Sequence, residues 1–372
     1  MAATTLPKDT ASANAATYVY VSSADDGDIG MYRLLDTGEL QPGARSPAAS
    51  VVMPMAVSPD RRFLYAVSRS TPYRVHAYAI ARDTGALAPL SATPMCESFA
   101  YISLDRTGRF LFGASYGGSL ISVNAVESDG RVAVEPLQLI PVGRNAHAVR
   151  IDASNRYVYV PTLGSDQIFQ FTFDEKTGRL SSNTPAVVLT SAMLGPRHFV
   201  TSADNRFVFV LSEMQGSVTT YALDASTGLL TEVASASSLP PDTGLVPGAP
   251  RGRSGAPGGP PPRNTDHDVW AADIQTTPDG RFVYISERTS STLGALAVND
   301  DTGELTYLST TATERQPRGF AIDPRGRYMV VTGEKSDTIS VYAIDPGTGG
   351  LRLLDKYPTG KGSNWVEIVG FD

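Results

Sequence analysis

Short runs of apolar and β-branched residues, each opened by a polar turn, recur along the whole chain. The clearest copies are Ser58-Pro-Asp-Arg-Arg-Phe-Leu-Tyr-Ala-Val, Asp105-Arg-Thr-Gly-Arg-Phe-Leu-Phe, Asp152-Ala-Ser-Asn-Arg-Tyr-Val-Tyr, Asp204-Asn-Arg-Phe-Val-Phe, Pro278-Asp-Gly-Arg-Phe-Val-Tyr and Asp323-Pro-Arg-Gly-Arg-Tyr-Met-Val. Aligned on the first aromatic residue, with Tyr18 as an incomplete first copy, the positions are Tyr18, Phe63, Phe110, Tyr157, Phe207, Phe282 and Tyr328. They are separated by 45, 47, 47, 50, 75 and 46 residues. A second phrase follows each copy: Asp36-Thr-Gly-Glu-Leu, Asp83-Thr-Gly-Ala-Leu, Asp129-Gly-Arg-Val, Lys176-Thr-Gly-Arg-Leu, Ser226-Thr-Gly-Leu-Leu, Asp301-Thr-Gly-Glu-Leu and Gly347-Thr-Gly-Gly-Leu. The two phrases together mark seven units.

Each unit reads as four short strands separated by Asp, Asn and Gly turns, and Gly supplies the positive φ such turns need. Four strands per period of about 46 residues is the pattern of a propeller blade. The expected fold is therefore all-β: a seven-bladed β-propeller of four-stranded antiparallel blades. The first unit begins at its second strand, and the C-terminal Asn364-Trp-Val-Glu-Ile-Val-Gly-Phe reads as a first strand with no second one after it. The chain ends are expected to pair within one blade, which closes the ring without an open sheet edge. The 75-residue spacing contains a Pro/Gly-rich insertion over 238–267, expected as a loop inside one domain spanning 1–372, with a flexible N-terminus over 1–15. Composition favours a solvated excursion over a lid for that insertion.

Charge narrows the partners. With 31 Lys and Arg against 38 Asp and Glu, a formal net charge of −7 offers no basic field for a phosphate backbone, so nucleic acid is not expected as a partner. No apolar run of about 18 residues is present, so no membrane span is expected. The start of the chain lacks a basic segment followed by an apolar one. A single cysteine, Cys96, fits a reducing compartment, and the reading is a cytoplasmic protein. The sequence carries no phosphate-cradling Gly loop, no Gly-x-Ser-x-Gly elbow and no His-Glu-x-x-His. No cofactor is expected. Glu213, Asp273 and Glu334 could approach the channel as metal ligands, but neighbouring arginines oppose a bound cation, and no metal is expected either.

In an antiparallel blade, the start of the first strand and the end of the second lie on the same face. Entering the first strands are Pro54-Met, Ala100-Tyr101, Ala146-His147, Pro196-Arg197-His198, Trp270-Ala-Ala-Asp273, Pro317-Arg318 and Asn364-Trp365; leaving the second strands are Arg69, Tyr116, Glu213, Arg288 and Glu334. Charged and imidazole side chains thus converge on one rim of the channel, the candidate site. Arginines there could link blades, or they could bind an anion, because clustered guanidiniums repel unless negative charge lies between them. Glu213 fits both an ion-pair partner and a general base. His147 fits a channel-facing acid or base, or a strand cap. Strict alternation would turn His198 away from Arg197 and pack it behind the site. His76, on a third strand, and His267, beside the insertion, fail the convergence test.

Several phrases, Pro54-Met-Ala-Val-Ser-Pro-Asp, Gly195-Pro-Arg-His, Leu211-Ser-Glu, Trp270-Ala-Ala-Asp-Ile, Glu287-Arg-Thr, Gln316-Pro-Arg-Gly-Phe and Trp365-Val among them, resemble the seven-bladed propeller lactonases. The resemblance spans nearly the whole chain. It is nearest to the bacterial 6-phosphogluconolactonase branch and more distant from carboxymuconate lactonizing enzyme. It implies His147, Arg197, Glu213 and Arg288 as catalytic residues, with Arg318 and Trp365 as neighbouring substrate contacts; Trp270, Arg69, His198 and Tyr101 are further substrate-binding candidates of the same rim. Two features depart from the branch: Tyr101 stands where many relatives carry His, and the insertion is longer. The implied substrate is a small anionic lactone, a 6-phosphogluconolactone or a glucaro- or galactaro-lactone. Glu213 or His147 would move the proton while Arg197 and Arg288 hold the lactone oxygen and the anionic group. A carboxymuconate cycloisomerase would need a similar rim. A binding scaffold without catalysis would not call for so charged a channel. Oligomeric state has no signal in the sequence.

Overall fold

The computed structural model describes residues 16–250 and 264–371. The expected flexible N-terminus, 1–15, and the centre of the insertion, 251–263, lie outside the described residues. The repeating units fold as their pattern predicts: strands form seven four-stranded antiparallel sheets, with no helix among the described residues. The first blade is built from both chain ends. Its inner strand, Ser363–Phe371, pairs antiparallel with Ala16–Ser23, with Val19 opposite Ile368 and Val21 opposite Val366. The ring therefore closes as the missing first strand predicts. Apolar side chains fill seven clusters, most of them between neighbouring blades; Phe207 and Phe209, for example, pack with Ile274 and Val283 of the following blade.

The two repeated phrases are the two halves of one blade-to-blade junction. The Asp that opens a phrase caps its turn: Asp152 Oδ1 accepts hydrogen bonds from the backbone N–H groups of Arg156 and Tyr157, both at 3.0 Å. The aromatic residue that follows supports the Thr-Gly turn of the next blade. Gly178 has φ of +73°, and a Cβ there would overlap the ring of Phe110, so both the conformation and the close approach require glycine. The same contact joins Tyr18 to Gly85, Phe63 to Gly130, Tyr157 to Gly228, Phe207 to Gly303, Phe282 to Gly349 and Tyr328 to Gly38. All seven junctions are thus built alike. Buried tyrosines reinforce three of them, with Tyr20, Tyr159 and Tyr284 hydroxyls donating to the Gly85, Gly228 and Gly349 carbonyls at 2.8 Å.

The inner strands are less regular. In the fifth blade, Pro196 faces Ser212 and Phe199 faces Val210, so Arg197 and His198 share the single partner position of Leu211. In the sixth, Ala272 and Asp273 share Ser286, and in the second, Met53 and Pro54 share Val67. The fourth and seventh blades begin their ladders late, at Arg150 and Phe320. Such bulges and delayed starts bend the strand and re-aim its side chains. They all fall at one mouth of the channel, the mouth toward which the charged residues converge.

The described flanks of the insertion return to that same mouth. Gly248 N–H donates to the Met214 carbonyl at 2.8 Å, and Val246 bridges to Asp268. The insertion is therefore anchored next to Glu213 on one side and Trp270 on the other.

Candidate active site

The fifth blade contributes both Arg197, from the bulge in its inner strand, and Glu213, from the end of its second strand. Arg197 is completely buried. Its Nε donates to Glu213 Oε2 at 2.6 Å, and its Nη1 donates to the Ala272 carbonyl of the sixth blade. Arg288, leaving the second strand of the sixth blade, donates from Nη2 to the same Glu213 Oε2 at 3.1 Å. It also reaches the Trp270 and Ala271 carbonyls at 3.1 Å each, and its guanidinium stacks 3.7 Å from the centre of the Trp270 ring. Both arginine contacts fall on Oε2 of Glu213.

The seventh blade adds Arg318, buried, with Nε 3.8 Å from Glu334 Oε1. The second blade adds Arg69, which donates from Nε to Ser98 Oγ at 3.1 Å. Four guanidiniums therefore gather here, with Glu213 paired to Arg197 and Arg288, and Glu334 near Arg318. Burial, together with the neighbouring Arg318 and Arg288, pushes Arg197 down to about 9, against the pull of Glu213. Arg69 is lowered to about 10, by burial first and then by Arg318 and Arg197. An excess of buried positive charge is costly unless an anion joins it.

Histidines and aromatic rings close the channel beneath the arginines. His147 and His198 stand edge to face with ring centres 5.2 Å apart. Tyr101 is 4.9 Å from His198 and 5.4 Å from Trp365, and Tyr116 is 5.5 Å from His147. Burial, followed by the charge of Arg197, holds both imidazoles well below the usual histidine range, so both are neutral at neutral pH. Beyond this plug, toward the opposite mouth, lies a cavity of about 380 Å³ lined by Arg150, Asp273, Gln275 and Glu367. The Trp365 Nε1–H points that way, donating to Glu367 Oε1 at 2.9 Å. The candidate site lies on the arginine side of the plug, where three buried polar atoms have no hydrogen-bond partner in the protein: Arg197 Nη2, Arg318 Nε and His147 Nδ1.

The structure brings together the residues that strand topology selected. Arg197, Glu213 and Arg288 are in direct contact, with Trp270 under Arg288. His147, His198, Tyr101 and Trp365 form the plug, and Arg69 and Arg318 lie close enough to Arg197 to repel it. His198 departs from strict alternation. Because the bulge puts it in the same partner position as Arg197, its Nε2 lies 3.1 Å from Arg197 Nη1 instead of turning behind the site. Two further residues join the cluster. Tyr116 occupies the same second-strand exit as Arg69, Glu213 and Arg288, so its position was the available signal. Asp273, considered only as a metal ligand, instead contacts His198. His76 is buried against Ser68, away from the cluster. No group of three potential metal-ligating side chains occurs among the described residues.

The sequence pattern of the family described as Lactonase, 7-bladed beta-propeller, matches residues 16–368. The chain belongs to that family. Among its relatives, the 6-phosphogluconolactonase of Pectobacterium carotovorum is 35% identical over 354 residues, covering 95% of this chain and 99% of the relative. The 6-phosphogluconolactonase of Serratia proteamaculans is 36% identical over 351 residues, covering 94% and 98%. Of solved structures, the periplasmic gluconolactonase of Pseudomonas aeruginosa superposes with a TM-score of 0.81 at 25% identity, covering 95% of this chain and 99% of that one. A Lactobacillus plantarum protein gives 0.82 at 23% identity and shares the fold, covering 96% and 100%. Membership makes the chain a lactone-hydrolysing enzyme. No helix among the described residues is long and apolar enough to cross a membrane.

Proposed function

We propose that the chain hydrolyses the lactone of an anionic sugar acid, with a 6-phosphogluconolactone as its preferred substrate, at the mouth formed by His147, Arg197, Glu213, Arg288 and Arg318. The observation that carries this reading is the pair of unpartnered arginine donors, Arg197 Nη2 and Arg318 Nε, within a group of guanidiniums that outnumbers its carboxylates. A buried donor without a partner costs about 1–3 kcal/mol, a cost that a bound anion would offset. The names of the two enterobacterial relatives support the phosphorylated substrate.

Opening a lactone requires water to attack the carbonyl carbon, a donor for the oxyanion that forms, and a proton for the departing ring oxygen. Arg197 Nη2 is a buried, charge-bearing donor suited to the oxyanion. His147 is neutral and its Nδ1 has no partner in the protein, so it can take a proton from the attacking water and return it to the ring oxygen as the C–O bond breaks. The product is a hydroxy acid, and its ionisation releases one proton to solvent. Glu213, held by Arg197 and Arg288 on one oxygen, acts in this scheme as the counter-ion that fixes both guanidiniums. Arg318, Arg288 and Arg69 hold the phosphate, with Trp270, Trp365, Tyr101 and His198 shaping the floor and wall. No cofactor or metal takes part, and the partner is the small anionic lactone. We also assign the protein to the cytoplasm, supported by its single cysteine, Cys96. Cell fractionation tests that assignment against the periplasmic location of the Pseudomonas relative.

The deciding experiment is proton release at near-neutral pH from fresh 6-phosphoglucono-δ-lactone, glucono-δ-lactone and glucaro- and galactaro-lactones, each corrected for spontaneous opening. A higher kcat/KM for the phosphorylated lactone is expected. Preference for an aldaro-lactone would reassign the arginines to a carboxylate. Turnover of none of them, with closure of a carboxymuconate detected by product analysis, would replace hydrolysis with cycloisomerisation.

A further inference from the structure

We infer that Asp273 is a positioning residue of this site, acting through His198 to fix the direction in which the unpartnered Nη2 of Arg197 points. The bulges of the fifth and sixth blades sit side by side and interlock. From the sixth blade, the Ala272 carbonyl receives Arg197 Nη1 and the Asp273 carboxylate meets His198, with Oδ1 2.9 Å from Nδ1. His198 Nε2 in turn lies 3.1 Å from Arg197 Nη1.

The protonation of His198 follows from its two neighbours. A guanidinium has only donors, so Nε2 must accept, and the ring proton must sit on Nδ1, where it is donated to Asp273. The Asp273 carboxylate is itself held in place. Ile274 N–H donates to Oδ1 at 3.0 Å, Gln275 Nε2 donates to Oδ2 at 3.3 Å, and the Asp273 N–H donates to Ser286 Oγ at 3.0 Å. Tyr101, His147 and Trp365 pack edge-on against the imidazole and prevent it from turning. The result is a continuous series from Asp273 through His198, Arg197 and Glu213 to Arg288. With Nε engaged by Glu213 and Nη1 by His198 and Ala272, the guanidinium plane of Arg197 is fixed and Nη2 is left without a partner. A carboxylate 7% exposed is an expensive way to satisfy one imidazole N–H, which a backbone carbonyl could do. Its charge is explained by the need to hold one tautomer against a cation.

The kinetic consequence rests on the lactonase reading, but the tautomer does not, so the test reads both. In the wild-type protein, nitrogen-15 NMR of His198 is expected to show a neutral ring protonated at Nδ1. Asp273→Ala should mix in the Nε2-protonated form and lower kcat by roughly 10²-fold, the scale of a misplaced catalytic donor. Asp273→Asn, which keeps an acceptor, should recover much of both. His198→Gln supplies an amide oxygen that accepts from Arg197 without help from Asp273. On that background, Asp273→Ala should change kcat less than twofold, because residues acting through one another are not additive. The inference is overturned if Asp273→Ala leaves His198 purely Nδ1-protonated, or if its effect is as large with Gln at 198 as with His. Should Asp273→Ala fail to fold, Asp273→Asn carries the test: a pure Nδ1 tautomer with full kcat supports acceptance through its oxygen, whereas kcat lost without any tautomer change contradicts it. If the wild type opens no lactone, the lactonase reading fails separately. Inorganic phosphate titrated against the Arg197 side-chain resonances then replaces kcat as the second readout.

Discussion

At the turn rim of the propeller, Arg109, Arg156, Arg206, Arg281 and Arg327 each lie over the aromatic ring that follows them, with centroid distances of 5.2–5.6 Å, and reach across to the next blade. At the opposite mouth, Arg197, Arg288 and Arg318 are buried, crowd one another and share too few carboxylates. The first set repeats because each arginine solves the same problem, joining one blade to the next at low cost in solvent. The second set does not repeat: Arg197 comes from a bulge, Arg318 from the delayed start of the seventh inner strand and Arg288 from a second-strand exit, and in the proposed function they address one ligand. Repetition accompanies exposure and redundancy; departure from it accompanies burial and unmet hydrogen-bonding capacity.

The sharpest way to break this contrast is to remove the one carboxylate that two site arginines share. Glu213→Gln keeps the shape and an acceptor but deletes the charge, leaving Arg197 and Arg288 buried without their counter-ion. Breaking a buried pair in this way costs about 3–5 kcal/mol, and the retained acceptor places the expectation at the lower end. The urea midpoint should fall accordingly, and added 6-phosphogluconate should restore more stability to the variant than it adds to the wild type. An unchanged midpoint would mean that the rim is not short of negative charge.

The fold was legible because the seven junctions use one chemistry. A turn capped by Asp, Ser or Thr, an aromatic support and a glycine turn that cannot carry a side chain recur at similar spacing from blade to blade. Much of the site was legible for the same reason, since Arg69, Tyr116, Glu213 and Arg288 occupy the same second-strand exit in different blades. What alternation could not supply is the facing of the residues inside the bulges. A period of two predicts His198 behind Arg197, but the shared partner position of Leu211 brings them into contact. The role of Asp273 was hidden in the same way, since it depends on two bulges from separate blades lying side by side.

A pH series separates the two ends of the channel by smaller effects of opposite sign. His147 and His198 are depressed by burial and by Arg197. The unfolded chain therefore binds more protons than the folded one below about 6.5, and stability is lost as pH falls through that range. Glu367, on the far side of the plug, is raised by burial to about 7. The folded state there binds the extra proton between about 7 and the ordinary glutamate value, so its ionisation penalty is relieved as pH falls. Asp273, also raised by burial, acts in the same direction as Glu367. The wild type should accordingly show a shallow acid limb. Glu367→Gln removes one compensating group, and its stability should fall more steeply between pH 7 and 5, by no more than about 1.4 kcal/mol per pH unit. Urea midpoints across that interval give the comparison, and parallel curves for the two proteins would remove Glu367 from the balance.

The smallest effect is expected where the repeat is most conspicuous. Arg109 lies over Phe110 at 5.6 Å, its Nη2 donates to the Glu175 carbonyl of the fourth blade at 2.6 Å, and its Nε reaches Thr107 Oγ1 at 3.0 Å. The polar groups it reaches, Thr107 and Glu175, are exposed to water, and an exposed cation over a ring contributes only about 0.5–1 kcal/mol. The ring beneath it remains packed against Gly178 and Phe173 when the arginine is gone, so the junction keeps its apolar half. Arg109→Ala should lower stability by less than about 1 kcal/mol and leave kcat and KM for the lactone unchanged, measured by urea unfolding and by proton release on the same preparation. A loss as large as that of Glu213→Gln would show that the turn-rim arginines hold the ring together instead of trimming its edges, and the contrast between the two rims would then be one of position alone.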